Sequence, residues 1–201
     1  MVTAFTSEDR LVLAQAKVSD QSNEITAIPE LLALLDLSGA TVTIDAMGCQ
    51  RAIAEHIQES GAEYILSLKG NQSSLHDDVK LLFLDDQILK ELKEGNTYTD
   101  IYADHGHIET RRCTVLKIPD ELIKTNQWPD LKTVVEIERT REFDNKIEHE
   151  KRYYISFLER DAKAMLHSIR SHWAIENSLH YVLDIAFRDD DESRIRKVTP
   201  L

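Results

Sequence analysis

"TVTIDAMGCQ", residues 41–50, opens on four alternating residues, Thr41, Val42, Thr43 and Ile44, and runs directly into Asp45 and a small-residue turn. The alternation reads as a strand. A carboxylate at its carboxyl end needs a partner or water, because an unpaired buried charge is costly. The flanking segments predict what kind of sheet receives the strand. Upstream, "PELLALLDL" (29–37) reads as a helix with Pro29 in its first turn and Gly39 closing it. Downstream, Ile53, Ala54 and Ile57 recur at helical spacing between Gln50 and Ser60, Gly61 is a stop, and "AEYILSL" (62–68) reads as a short, largely buried strand. Residues 10–18, "RLVLAQAKV", also alternate, with Leu11 and Leu13 turned to a core and turn chemistry following from Ser19 to Asn23. Strand, helix, strand, helix, strand predicts an α/β layer around a mostly parallel sheet. Asp45 then lies in the crevice at a strand's carboxyl end, where open α/β sheets place their chemistry.

Beyond residue 72 the texture changes twice. From Ser73 to Glu94 an amphipathic helix or helix pair is predicted, with Leu75, Val79, Leu82, Phe83 and Leu89 on its apolar side and Gly95 at its end. Period two then takes over: "YTDIYADHGHIETRRCTVLKI" (98–118) reads as two strands about a His-Gly-His turn. "TVVEIERTREF" (133–143) and "EHEKRYYISFL" (148–158) make a hairpin about Asp144-Asn145-Lys146. From Ala162 to Phe187, Met165, Leu166, Ile169, Trp173, Leu179, Val182 and Leu183 recur at three- and four-residue steps, the mark of a helix with one buried face. The expected organisation is therefore a core over 1–96, a β-rich insertion over 97–157 and a final helix with its tail over 158–201.

A chain of 201 residues, 42% hydrophobic and 30% charged, can bury one full core. No apolar run approaches the roughly 18 residues of a membrane span, and the first residues lack the layout of a signal peptide, so the expected location is the cytoplasm with no membrane partner. Cys49 and Cys113 form neither a disulfide framework nor a thiolate zinc motif. The formal charge of −12 opposes nonspecific phosphate binding over the whole surface. Contact with DNA must rest on local patches: Arg111 and Arg112, Arg139 and Arg141, and the segment 194–197; each reads equally as a solvated strand face or basic terminus.

Glu176 sits one helical turn from His172 and Trp173 on one side and from Leu179 and His180 on the other. It is either a surface residue at the edge of the buried stripe or a carboxylate aimed into the crevice. In the second case Asp45 and Glu176 would together offer hard oxygen ligands to a divalent cation such as Mg²⁺, the arrangement that supports in-line phosphoryl transfer. A third acidic ligand is usual for that chemistry, and its expected strand would precede Met1. His105 and His107 lack a third ligand at zinc spacing, no Gly-x-Ser-x-Gly elbow occurs, and "LKGNQ" (68–72) is not a phosphate-binding loop. Lys69, Asn71 and Gln72 nevertheless follow the next strand on the crevice side. They read either as contacts to a phosphate backbone or as a plain polar turn.

"NEITAIPELLALLDLSGATVTIDAMGCQ" (23–50), "LSLKGNQ" (66–72), "HGHIETRRC" (105–113) and "HWAIENSLHYVLDIAFRDDDESRIR" (172–196) together resemble the H-repeat-associated group of bacterial insertion-sequence transposases, in order from Val2 to Lys197. The resemblance implies a DDE-type catalytic domain: a ribonuclease H-like mixed sheet flanked by helices, lacking its first strand here, with a β-rich insertion before the last helix. It implies DNA cleavage and strand transfer at transposon ends with Mg²⁺ or Mn²⁺, and partners that are DNA, a second copy or an intact transposase subunit. Asp45 matches the second catalytic aspartate and Glu176 the glutamate of the last helix. In the related tyrosine, arginine, glutamate and lysine signature, Ile169 stands at the tyrosine position, His172 at the arginine position and Leu183 near the lysine position. Arg170, His180 and Arg188 are then the candidate phosphate contacts. The family's first aspartate belongs to an upstream Asp-Gly-Lys motif, and its pattern continues past Lys197. The expectation is a fragment of a DDE-type transposase catalytic domain, shortened at both ends and with little or no strand-transfer activity as given; the alternative is a catalytically inactive remnant that at most binds DNA or an intact transposase subunit.

Overall fold

The structure, a computed structural model, describes residues 1–18, 23–92, 95–104, 107–128, 130–143, 146–159 and 161–173. Its centre is a six-stranded mixed sheet. Strands β3 (Thr41–Ile44) and β4 (Glu63–Leu68) run parallel and are joined through helix α2 (Arg51–Glu59). A four-stranded antiparallel meander, β5 (Thr97–Asp104), β6 (His107–Lys117), β7 (Thr133–Phe143) and β8 (Lys146–Ser156), attaches through β8, which pairs antiparallel to β4. The order across the sheet is β3-β4-β8-β7-β6-β5, with β3 and β5 at its edges. Only β3–β4 is parallel, so the mostly parallel layer expected from the strand–helix order is corrected: the stretch 97–157 continues the same sheet.

Alternation along the central strands divides the core into two layers. Tyr64, Leu66 and Leu68 of β4, with Tyr153 and Ile155 of β8, face α1 (Glu24–Leu32), α2 and α3 (Ser73–Leu82). Ile65, Val135, Ile137 and Tyr154 face α6 (Ala162–His172) through its Ala162, Met165, Leu166 and Ile169. Helices on both faces of a mixed sheet make this an α/β architecture consistent with the ribonuclease H-like fold that the resemblance implies.

Several expected elements stand where the pattern put them. Helix α2 buries Ile53, Ala54 and Ile57 and ends before Gly61, whose φ of +71° suits glycine. The segment 73–94 begins as a helix pair, α3 and then α4 (Asp86–Lys90). Other elements differ. Helix α1 starts at Glu24, capped by Asn23, whose Oδ1 accepts from the Thr26 amide at 3.1 Å, so Pro29 lies inside the helix rather than in its first turn. A strand β1 (Val2–Thr6) was not foreseen. It pairs antiparallel with β2 (Leu11–Ala16) in a separate two-stranded sheet. There Leu11 and Leu13 are 57% and 53% exposed, correcting their placement in the core: among the described residues no second layer covers that face. Helix α5 (Asp120–Asn126) was also missed. No described helix is long and apolar enough to cross a membrane. Of the final helical segment, residues 174–201 lie outside the described residues.

Candidate catalytic crevice

Asp45 is the first residue after β3, and its side chain is exposed at the strand's carboxyl end. That exposure answers the cost of placing a charge beside an apolar strand: the carboxylate stays in water instead of being buried. Its Oδ1 accepts from the backbone N–H of Met47 (3.1 Å) and of Gly48 (3.4 Å), an Asx-type turn that folds the chain back beneath the carboxylate. No described residue donates to Oδ2. Gly48 is buried because there is no room for more: a Cβ there would lie 2.9 Å from Ile28 Cδ1 and closer still to Ile44 Cγ2. Cys49 is fully buried, and burial pushes its thiol up to about 12.

The segment after β4 meets this loop. Asn71 Nδ2 donates to Ala46 O at 2.6 Å, and Gln72 Nε2 donates to Cys49 O at 3.0 Å. Both belong to the 3₁₀ turn Gly70–Gln72. Of the trio considered for phosphate contact, Asn71 and Gln72 thus have their amide donors directed at the loop that carries Asp45, while Lys69 is exposed.

The carboxyl end of α6 approaches from the opposite face. His172 Nδ1 lies 3.1 Å from Thr43 Oγ1, two residues before Asp45. Its ring meets Trp173 edge to face at 5.5 Å, and the Arg152 guanidinium lies 4.8 Å from the Trp173 ring centroid. Arg170 Nη1 donates to Asp100 Oδ2 at 2.5 Å, tying α6 to β5. Glu176, His180 and Arg188 lie outside the described residues.

The outer halves of β6, β7 and β8 carry an ionic network on the α6 side. Glu109 pairs with Arg111, with Arg139 at 2.9 Å and with Arg141 at 3.5 Å. Glu150 pairs with Arg139 at 3.4 Å and Arg152 at 2.8 Å. The hydrogen bond from Arg152 holds the Glu150 carboxyl below its ordinary value. Burial, then the nearby Arg170 and Arg139 charges, lowers Arg111. Arg112 is exposed on the other face, opposite Glu138 in register. Adjacent strand residues must diverge in this way, so Arg111 and Arg112 do not form one patch. Glu109, Thr43 and Arg152 were missed as parts of these contacts; the i, i+2 spacing of Glu109 with Arg111 and of Arg139 with Arg141 was the signal available.

As a metal ligand Asp45 has suitable chemistry, a hard carboxylate oxygen for Mg²⁺. It is one ligand of several needed. Among the described residues no group of three or more His, Cys, Asp or Glu side chains could hold a metal ion.

With this geometry in view, the chain matches the transposase DDE domain over residues 1–198 and belongs to that family. It is 43% identical over 98% of its length to "Putative transposase YncI" of Escherichia coli O157:H7, covering 51% of that protein. It is 41% identical over 95% of its length to "H repeat-associated putative transposase YhhI" of Escherichia coli strain K12, again covering 51%. "Uncharacterized protein in dhlA 3'region" of Xanthobacter autotrophicus is 46% identical over 78% of this chain and is covered over 52% of its own length. The chain therefore spans about half the length of these relatives. No solved structure matches it.

Proposed function

We propose that this chain carries part of a DDE-type catalytic centre for DNA transposition, with Asp45 and Glu176 as two of its carboxylates. The observation that supports this reading is the placement of Asp45: an exposed carboxylate at the carboxyl end of β3, oriented by its own loop, in a chain that matches the transposase DDE domain. Asp45 and Glu176 would hold Mg²⁺ or Mn²⁺. When bound, such an ion activates the attacking oxygen and stabilises the leaving oxygen of phosphoryl transfer. The chain's own contribution is to aim the Asp45 carboxylate, to dock the carboxyl end of α6 on β3 through His172 and Thr43, and to receive the DNA backbone. For the last role Lys69, Arg111, Arg112, Arg170, His180 and Arg188 are the cationic candidates and His172 is a further one. Asn71 and Gln72 direct their amide donors at the loop that carries Asp45 and support it instead.

A second reading starts from the basic side chains rather than from Asp45: Lys69 and Arg112 are exposed. On it the chain binds transposon-end DNA, a second copy or a longer transposase subunit without catalysing joining. Incubation of the purified chain with transposon-end DNA and Mg²⁺ separates the two. Metal-dependent cleavage and joining, abolished by Asp45→Ala, supports a catalytic role. DNA retention without any cleaved or joined product supports the binding role, and neither retention nor product rejects both.

A further inference from the structure

We infer that Asn71, seconded by Gln72, is a positioning residue for the Asp45 carboxylate rather than a DNA contact. The inference rests on the reading of Asp45 as a catalytic carboxylate and adds how the fold aims it. The link is one peptide unit. Ala46 O, which accepts from Asn71 Nδ2 at 2.6 Å, and Met47 N, which donates to Asp45 Oδ1 at 3.1 Å, belong to the same planar amide between residues 46 and 47. A rotation that broke the Asn71 bond would swing the Met47 N–H away from the carboxylate. Donation to the carbonyl also polarises the amide and strengthens its N–H as a donor, the cooperativity of hydrogen bonds in series.

The rest of the loop is held by independent means. Gln72 Nε2 fixes Cys49 O at 3.0 Å, and Gln50 Nε2 donates to Met47 O at 3.4 Å. Gly48 is seated against Ile28 and Ile44 without room for a Cβ. At the near end the Ala46 carbonyl also accepts from the Cys49 N–H at 3.2 Å, so the peptide next to Asp45 is held by one backbone bond and by one exposed side chain, Asn71. Support of this kind around a ligating carboxylate typically changes metal affinity about 10- to 100-fold when removed.

The test uses the full chain labelled with ¹⁵N. In wild type the Met47 and Gly48 amides should carry the shifts of carboxylate-bonded N–H groups, and Mn²⁺ should broaden them first. In Asn71→Ala the Met47 amide should move toward its position in Asp45→Ala, while the Ile53 and Ile57 amides of α2 stay in place. Its Mn²⁺ affinity should fall about tenfold. Asn71→Gln keeps a donor one methylene further out and should recover part of both signals. It also serves as the decisive variant if Asn71→Ala does not fold. A Met47 shift and Mn²⁺ affinity unchanged within twofold in the altered chain would overturn the inference. If the Met47 amide responds to Asn71→Ala but Mn²⁺ broadens nothing near Asp45 in wild type, the positioning role stands and the metal reading of Asp45 fails.

Discussion

Strands β2 and β4 have similarly apolar sequences and very different surroundings. β4, "EYILSL", is buried along nearly its whole length because β3 and β8 flank it and helices cover both of its faces. β2, "LVLAQA", pairs with β1 alone among the described strands, and its Leu11 and Leu13 are exposed. An apolar alternating run specifies a strand; a second layer decides whether its side chains stabilise anything. The two strands should therefore respond oppositely to the same chemical change.

The sharpest contrast pairs Leu66→Ala with Leu13→Ala. Leu66 is fully buried, and its truncation should cost about 2–5 kcal/mol in urea unfolding. Leu13→Ala should change stability by no more than about 0.5 kcal/mol. A loss at Leu13 as large as that at Leu66 would show that β2 is covered in solution. The thiols read the same core from within. Cys49 and Cys113 are fully buried, and burial pushes each up to about 12. Neither should react with Ellman's reagent at pH 8 until denaturant opens the chain.

Smaller effects follow at the loop and the helix ends. Gly48→Ala should cost about 1–3 kcal/mol through overpacking against Ile28 and Ile44, measured by the shift of the urea midpoint. Asn23→Ala should cost about 1 kcal/mol by removing the cap of α1. Glu150→Gln should have the least effect. The Glu150 carboxyl is depressed by Arg152, so its contribution is present above the ordinary carboxylate range and is lost as pH falls through the folded-state value. With 44% of the side chain exposed, solvent screening limits it to a few tenths of a kcal/mol, about 0.3. The wild type and variant should differ by that amount at pH 7, and the difference should shrink as the pH falls below the ordinary carboxylate range.

The comparison also explains what could be read from the sequence. Helix α2 and strand β4 were legible because their apolar spacing coincides with their burial. The segment "TVVEIERTREF" is β7 from end to end, since alternation and a polar turn agree there. The surroundings of β2 were not legible, because alternation carries no information about what covers a strand's face. Helix α5 was missed because its seven residues are too short for a periodic signal. At the site, Asp45 was placed by strand order alone. The bonds of Asn71 and Gln72 to its loop span 25 and 23 residues, beyond the reach of local pattern. The opposite facing of Arg111 and Arg112 follows from strand period two and was available before any coordinates.

The proposed catalytic centre requires Asp45 and Glu176 to share one ion. Replacing Mg²⁺ by Fe²⁺ and adding ascorbate and peroxide generates hydroxyl radicals at the bound metal, which cut the nearby backbone. The expected result is two sets of fragments, ending near residues 45–48 and near residue 176, both lost in Asp45→Ala and both suppressed by excess Mg²⁺. Cleavage near only one of the two positions, or a pattern unchanged by Asp45→Ala, would contradict it.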